Sequence, residues 1–216
     1  MRFTANLLPL LLASQLPAHV ISVFAAGKEG ELCLDDLSLR DPNHSGLLWT
    51  RSHVTHMHTF FFESLAAQHP GKLSLVHVFP GLVMTDAFNN PGVPRWFKIL
   101  WYLFNPIIRL FSTPLDECGE RILFLASPLR FPARQTTEGG NISKAEDVSA
   151  PGSKVTVARG TDSNLGSGAY AVTIDGETCK NEQILKKYRG GEASEKICAH
   201  TLQAFEDISA GKVFTG

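Results

Sequence analysis

The sequence predicts an α/β fold, a parallel sheet of about three strands with flanking helices, and three observations carry the prediction. Two apolar runs, "HVISVF" (19–24) and "KLSLVHVF" (72–79), have the pattern of strands covered on both faces. Between them lies a helical stretch from about Trp49 to Gln68, and a strand, helix, strand unit of this length places its strands parallel with a right-handed connection. The 216 residues, 44% of them hydrophobic, suffice for a single domain, 1–216, with a real core.

The elements follow in order. Residues 3–14 form a leucine-rich helix, and Pro17 marks the turn into the first strand. The same stretch imitates a secretory leader, with Arg2, an apolar run and small residues, and Asn43-His44-Ser45 and Asn141-Ile142-Ser143 would be glycosylation sequons in a secreted chain. Pro9 and Pro17 interrupt that run, and the β-branched "VISVF" reads as strand, so the expected location is cytoplasmic. A loop bearing Asp35 and Asp36 leads to "RSHVTHMHTFFFESLAAQHP" (51–70), which reads as an amphipathic helix closed by His69-Pro70-Gly71. Further on, "PLDECGERILFLAS" (114–127) is a helix with Pro114 at its start and acids in its first turn; its apolar positions are Ile122, Leu123, Leu125 and Ala126. Residues 136–154 are polar and glycine-bearing, the composition of a mobile loop. "GAYAVTI" (168–174) supplies the last strand, and 181–209 a C-terminal helical segment.

Charge and cysteine content remove some functions. The 20 Lys and Arg are scattered among 21 Asp and Glu, with no basic block to bind nucleic acid. Cys33, Cys118, Cys179 and Cys198 are far apart, without a C-x-x-C pair, and read as separate buried thiols.

The order of these elements, with "PGLVMT" directly after the second strand and "GSGAYAVTIDGE" near the C-terminus, resembles the second half of the short-chain dehydrogenase/reductase family, most of all the fungal branch found in secondary-metabolite clusters. The resemblance covers nearly the whole chain and implies an incomplete Rossmann-like sheet, an oxidoreductase activity and NAD(P) as cofactor. In that family the Pro-Gly-x-Val-x-Thr turn lies against the nicotinamide end, which concerns Pro80, Gly81, Val83 and Thr85 here. A turn at the carboxyl end of a parallel strand is where open α/β sheets bind ligands. The resemblance starts at what would be the family's fifth helix. The dinucleotide half is therefore expected to be encoded upstream, as in a truncated gene model, or on a separate chain.

The family's reaction needs a tyrosine as general acid/base, a lysine four residues later and a serine at the end of the preceding strand. Those positions fall on Arg51, Thr55 and Ala25. The tyrosines, Tyr102, Tyr170 and Tyr188, are followed at the fourth residue by Pro106, Ile174 and Glu192, so no Tyr-x-x-x-Lys exists in any register. Neither glycine-rich phosphate motif occurs among the 18 glycines.

His53, His56 and His58 fall in the first turns of the long helix. No Cys, Asp or Glu sits nearby in register to complete a metal site, so none is expected. His58 shares a stripe with Arg51 and Thr55 and is the substitute candidate for proton transfer, because imidazole titrates near neutrality. The competing reading is a helix freed from catalytic constraint.

"PRWFKILWYLFNPIIRLF" (94–111) is lipophilic, interrupted by Asn105-Pro106 and too short to span a bilayer. It reads as the family's substrate lid over a lipophilic carbonyl or alcohol, as a peripheral membrane or partner contact, or as a core helix pair. Two functions stay open: an oxidoreductase homologue with residual or altered chemistry, and a non-catalytic relic or interaction subunit. The second predicts an oligomer or partner chain covering the sheet edge at "VISVF".

Overall fold

The computed structural model describes residues 1–44, 46–84, 94–135, 155–189 and 192–215. Helix α1 (Arg2–Ala13) precedes strand β1 (Ala18–Val23), and a single 3-10 turn (Pro42–His44) leads into α2 (Leu47–Gln68). Strand β2 (Leu73–Phe79), helices α3 (Arg95–Leu110) and α4 (Leu115–Phe124), strand β3 (Ala169–Thr173) and helices α5 (Glu182–Arg189) and α6 (Ala193–Ser209) complete the order. The three strands form one sheet in the order β1-β2-β3. Both pairings are parallel, Ala18 opposite Leu73 and Leu75 opposite Ala169. The α/β class and the short parallel sheet are as the sequence predicts.

Alternation along β2 divides the core. Leu73 and Leu75 face α2, packing on Phe61, Phe62 and Leu65 together with Leu8 and Leu12 of α1. Val76 and Val78 face the opposite side, with Leu125, Phe131, Tyr170 and Val172. Ser74 sits among them without penalty because its hydroxyl donates to the Phe131 carbonyl at 2.7 Å.

Helix α2 departs from the amphipathic helix that the sequence suggests. From His53 to Ala66 its residues are buried with few exceptions. The reason is its position: Phe61 and Phe62 meet the sheet, while Met57 and Phe60 pack with Leu32 and with Ile197 of α6. A helix covered on opposite sides has no outer polar face to display. Glu63 ties it to α5 through Arg189 at 2.7 Å.

Three further expectations are corrected. Strand β1 is half-buried rather than covered on both faces, since among the described residues it pairs only with β2. Of the four free cysteines only Cys179 is buried. The segment 94–111 is not a core helix pair, because α3 has no buried residue. In α4 Leu123 is exposed, so that helix buries a narrower face than its apolar content suggests. The C-terminal helical segment is two helices, α5 and α6, and the loop expected at 136–154 lies outside the described residues.

This division of burial is measurable. Leu75→Ala, in the central strand, is expected to cost about 2–5 kcal/mol in urea unfolding. Leu103→Ala, on α3, is expected to stay within about 0.5 kcal/mol of the parent. Comparable losses at both positions would mean that α3 is packed into the core.

Candidate functional site

The carboxyl end of the sheet is where the sequence-predicted residues gather. Strand β2 runs out at Phe79 into the turn Pro80–Val83. Gly81 there has φ +72°, a left-handed conformation that side chains resist, and among the described residues a Cβ on it would meet only the Ile174 side chain, at 3.9 Å. The turn therefore offers its backbone to an approaching group. Leu82 accepts a hydrogen bond from the Thr113 amide at 2.9 Å, and Val83 bridges to Thr113, so α3 is an excursion tied back to this turn. Thr85 lies outside the described residues.

Ala25, Arg51 and Thr55, which the resemblance would set at the family's serine, tyrosine and lysine positions, are placed as follows. Ala25 is buried just beyond β1. Thr55 is fully buried, and its hydroxyl donates to the Arg51 carbonyl one turn back at 2.7 Å. Arg51 presents a guanidinium, a donor with no acceptor atom.

Beside Ala25 the structure assembles a polar chain that the sequence reading passed over. The Ala25 amide donates to His77 Nε2 at 3.2 Å, which leaves the ring hydrogen on Nδ1. Nδ1 lies 3.4 Å from the Thr59 hydroxyl, and that hydroxyl donates to Glu29 Oε1 at 2.8 Å. One direction of donation, His77 to Thr59 to Glu29 Oε1, accounts for the His77 and Thr59 hydrogens, while Glu29 Oε2 is buried with no hydrogen-bond partner among the described residues. Burial pushes the Glu29 carboxyl above its usual range, opposed by nearby donors, among them the Thr59 hydroxyl. The signals that could have found this chain were a lone histidine inside an otherwise apolar strand and a Lys-Glu pair set between glycines directly after β1.

His58 stacks on His77 at 4.5 Å and packs edge-on against Phe62 at 4.5 Å. Burial, with the neighbouring His77 next, holds its imidazole neutral, its pKa pushed down to about 2; His77 is held down to about 4, again chiefly by burial. His53 and His56 face the other side. His56 Nδ1 donates to the Gly30 carbonyl at 2.8 Å, and His53 Nδ1 accepts from the Cys33 amide at 3.5 Å. Both anchor the chain after β1 onto α2, where Gly30 lies so close that a Cβ would fall 2.7 Å from that of Ser52. Among the described residues no group of three His, Cys, Asp or Glu could hold a metal ion.

Comparison with known proteins gives consistent relatives. A Stachybotrys chartarum protein named short-chain dehydrogenase/reductase is 34% identical over 212 residues, covering 96% of this chain and 56% of that protein. An oxidoreductase of Emericella nidulans is 36% identical over 203 residues, 93% of this chain and 57% of its own length. Another, from Emericella variicolor, is 31% identical over 212 residues, 97% of this chain and 58% of its own. The chain thus spans about half the length of the curated relatives it matches. No protein-family profile and no solved structure matches it.

The buried imidazoles set a pH dependence whose sign is fixed. Their folded pKa values lie below the ordinary 6.5, so the folded state binds fewer protons than the unfolded one. The stability they contribute is present above pH 6.5 and is lost as pH falls towards 4. Each of His56, His58 and His77 is expected to cost about 1 kcal/mol over the first unit below its unfolded pKa. Urea unfolding between pH 7.5 and 5 reads this, and a flat profile would contradict the burial of these rings.

Proposed function

This chain belongs to the short-chain dehydrogenase/reductase family, and from that footing we propose that it acts as a short-chain dehydrogenase/reductase-like oxidoreductase homologue of fungal secondary metabolism, binding a lipophilic carbonyl or alcohol. The observation that carries the reading is the Pro80–Val83 turn, open at Gly81, at the carboxyl end of the central parallel strand. Backbone of Pro80, Gly81 and Val83, with Thr85, would hold the nicotinamide end of NAD(P), which supplies reducing equivalents when bound. The open glycine turn supports that end of the cofactor; its phosphates find no glycine-rich motif in the 216 residues. Helix α3, tied to the same turn, would cover an apolar substrate. Proton transfer would differ from the family's ordinary route, because positions 25, 51 and 55 supply neither a phenol nor an amine.

A second reading, a non-catalytic relic or interaction subunit on the same scaffold, is favoured by one observation. The Thr55 hydroxyl is committed to backbone, as befits a helix shaped by packing. The outer edge of β1 would then be the place for a partner chain.

Titration with NADH and NADPH separates the two. The chain as it stands is compared with a version carrying any coding sequence upstream of Met1. At about 100 times Kd, cofactor is expected to raise the Tm of the longer version by about 5–10 °C. Gly81→Ala strains the turn by about 1–2 kcal/mol and weakens that binding. No shift in either form, with either cofactor, would overturn the cofactor reading in favour of the scaffold.

A further inference from the structure

Helix α3 is apolar in composition yet has no buried residue. Trp96, Leu103 and Leu110 are 66, 68 and 81% exposed. At roughly 100° per residue these three share a face with Ile99, Leu100 and Ile107, giving one apolar stripe directed into water. A contiguous stripe of this kind marks an interaction site rather than ordinary surface.

Its charge says which kind of surface it meets. The helix carries Arg95, Lys98 and Arg109 and no acidic residue, within a chain of formal net charge −1. Arg95 and Arg109 stand at its two ends, Arg95 beside the stripe and Arg109 further round the helix. Trp96, within the stripe, adds an amphipathic ring of the kind that settles at a bilayer's headgroup level. With 16 residues and three cations it cannot span, and among the described residues no helix is long and apolar enough to cross a membrane.

We infer that α3 is a peripheral anchor that lies in the surface of an anionic bilayer, its Trp96–Leu103–Leu110 face among the acyl chains and Arg95 and Arg109 against lipid phosphate. A protein partner or a second copy would also bury the stripe. Cations without a single acid, interleaved with tryptophan, match lipid headgroups better than the mixed rim of a protein interface. The Leu82–Thr113 stem then sets the carboxyl end of the sheet beside the membrane. The anchor does not rest on the cofactor reading: either can stand without the other.

Flotation of the purified chain with extruded vesicles tests it, using phosphatidylcholine alone and phosphatidylcholine with phosphatidylserine. A Trp49→Phe background makes Trp96 and Trp101 the reporters, since the chain has 3 tryptophans. The chain is expected to float with the phosphatidylserine vesicles only, with a blue shift of tryptophan emission. Arg95→Ala with Arg109→Ala should weaken binding about fivefold per cation. Leu103→Asp with Leu110→Asp should abolish it while far-UV circular dichroism is unchanged, both positions being exposed. Three results would overturn the inference: no flotation, equal flotation with phosphatidylcholine alone, or binding indifferent to the aspartates. A dimer on size exclusion that the aspartates dissociate, without flotation, would assign the face to self-association instead.

Discussion

The burial of α2 on opposite sides is the constraint on which the rest of the structure depends. Phe61 and Phe62 close the core against the sheet, and Met57 and Phe60 close a second cluster against α6. Everything polar in the middle of this helix must therefore find a partner inside the protein or go without charge. Thr55 turns back on its own helix, His56 takes the Gly30 carbonyl, and His58 stacks on His77 as a neutral ring. The same packing fixes the chain after β1, since Ala25, Glu29, Gly30 and Cys33 all attach to groups on α2 or β2.

This arrangement bears on the proton-transfer role considered for His58. A general acid/base must face a cleft with a pKa near the working pH. His58 instead faces His77 and Phe62 within the helix–sheet interface, where desolvation removes its capacity to carry a proton. The polar chain from His77 through Thr59 to Glu29 occupies the neighbourhood of Ala25 and keeps that loop in place. These hydrogen bonds specify one conformation of the loop, and the cost falls on Glu29, whose Oε2 has no partner among the described residues and whose carboxyl burial pushes up.

How much of this was legible beforehand differs by element. The strands were readable because apolar runs bounded by Pro17, Pro80 and Gly81 have one simple explanation, and the parallel pairing followed from the length of the crossover. The orientation of α2 was not readable: helical periodicity reports contrast between faces, and three histidines and two threonines supplied polarity that looked like an outer face. Only the position of α6, more than a hundred residues later, reveals that both faces are inner ones. The turn at Gly81 was visible as a dipeptide, but its openness at the Cβ position needed coordinates. Glu29 and Thr59 sit thirty residues apart, and no local pattern announces a contact at that separation. The apolar segment 94–111 was recognised as distinctive, yet composition could not separate a core helix from an exposed one.

The central claim, that α2 is an internal strut whose imidazoles are held neutral, is tested most directly by nitrogen-15 NMR of the histidine rings as pH is lowered from 7.5 to 5. The account predicts that His56, His58 and His77 stay uncharged over this range and that His77 carries its hydrogen on Nδ1. Titration of these rings near their ordinary value of 6.5 would place them in solvent and contradict the account.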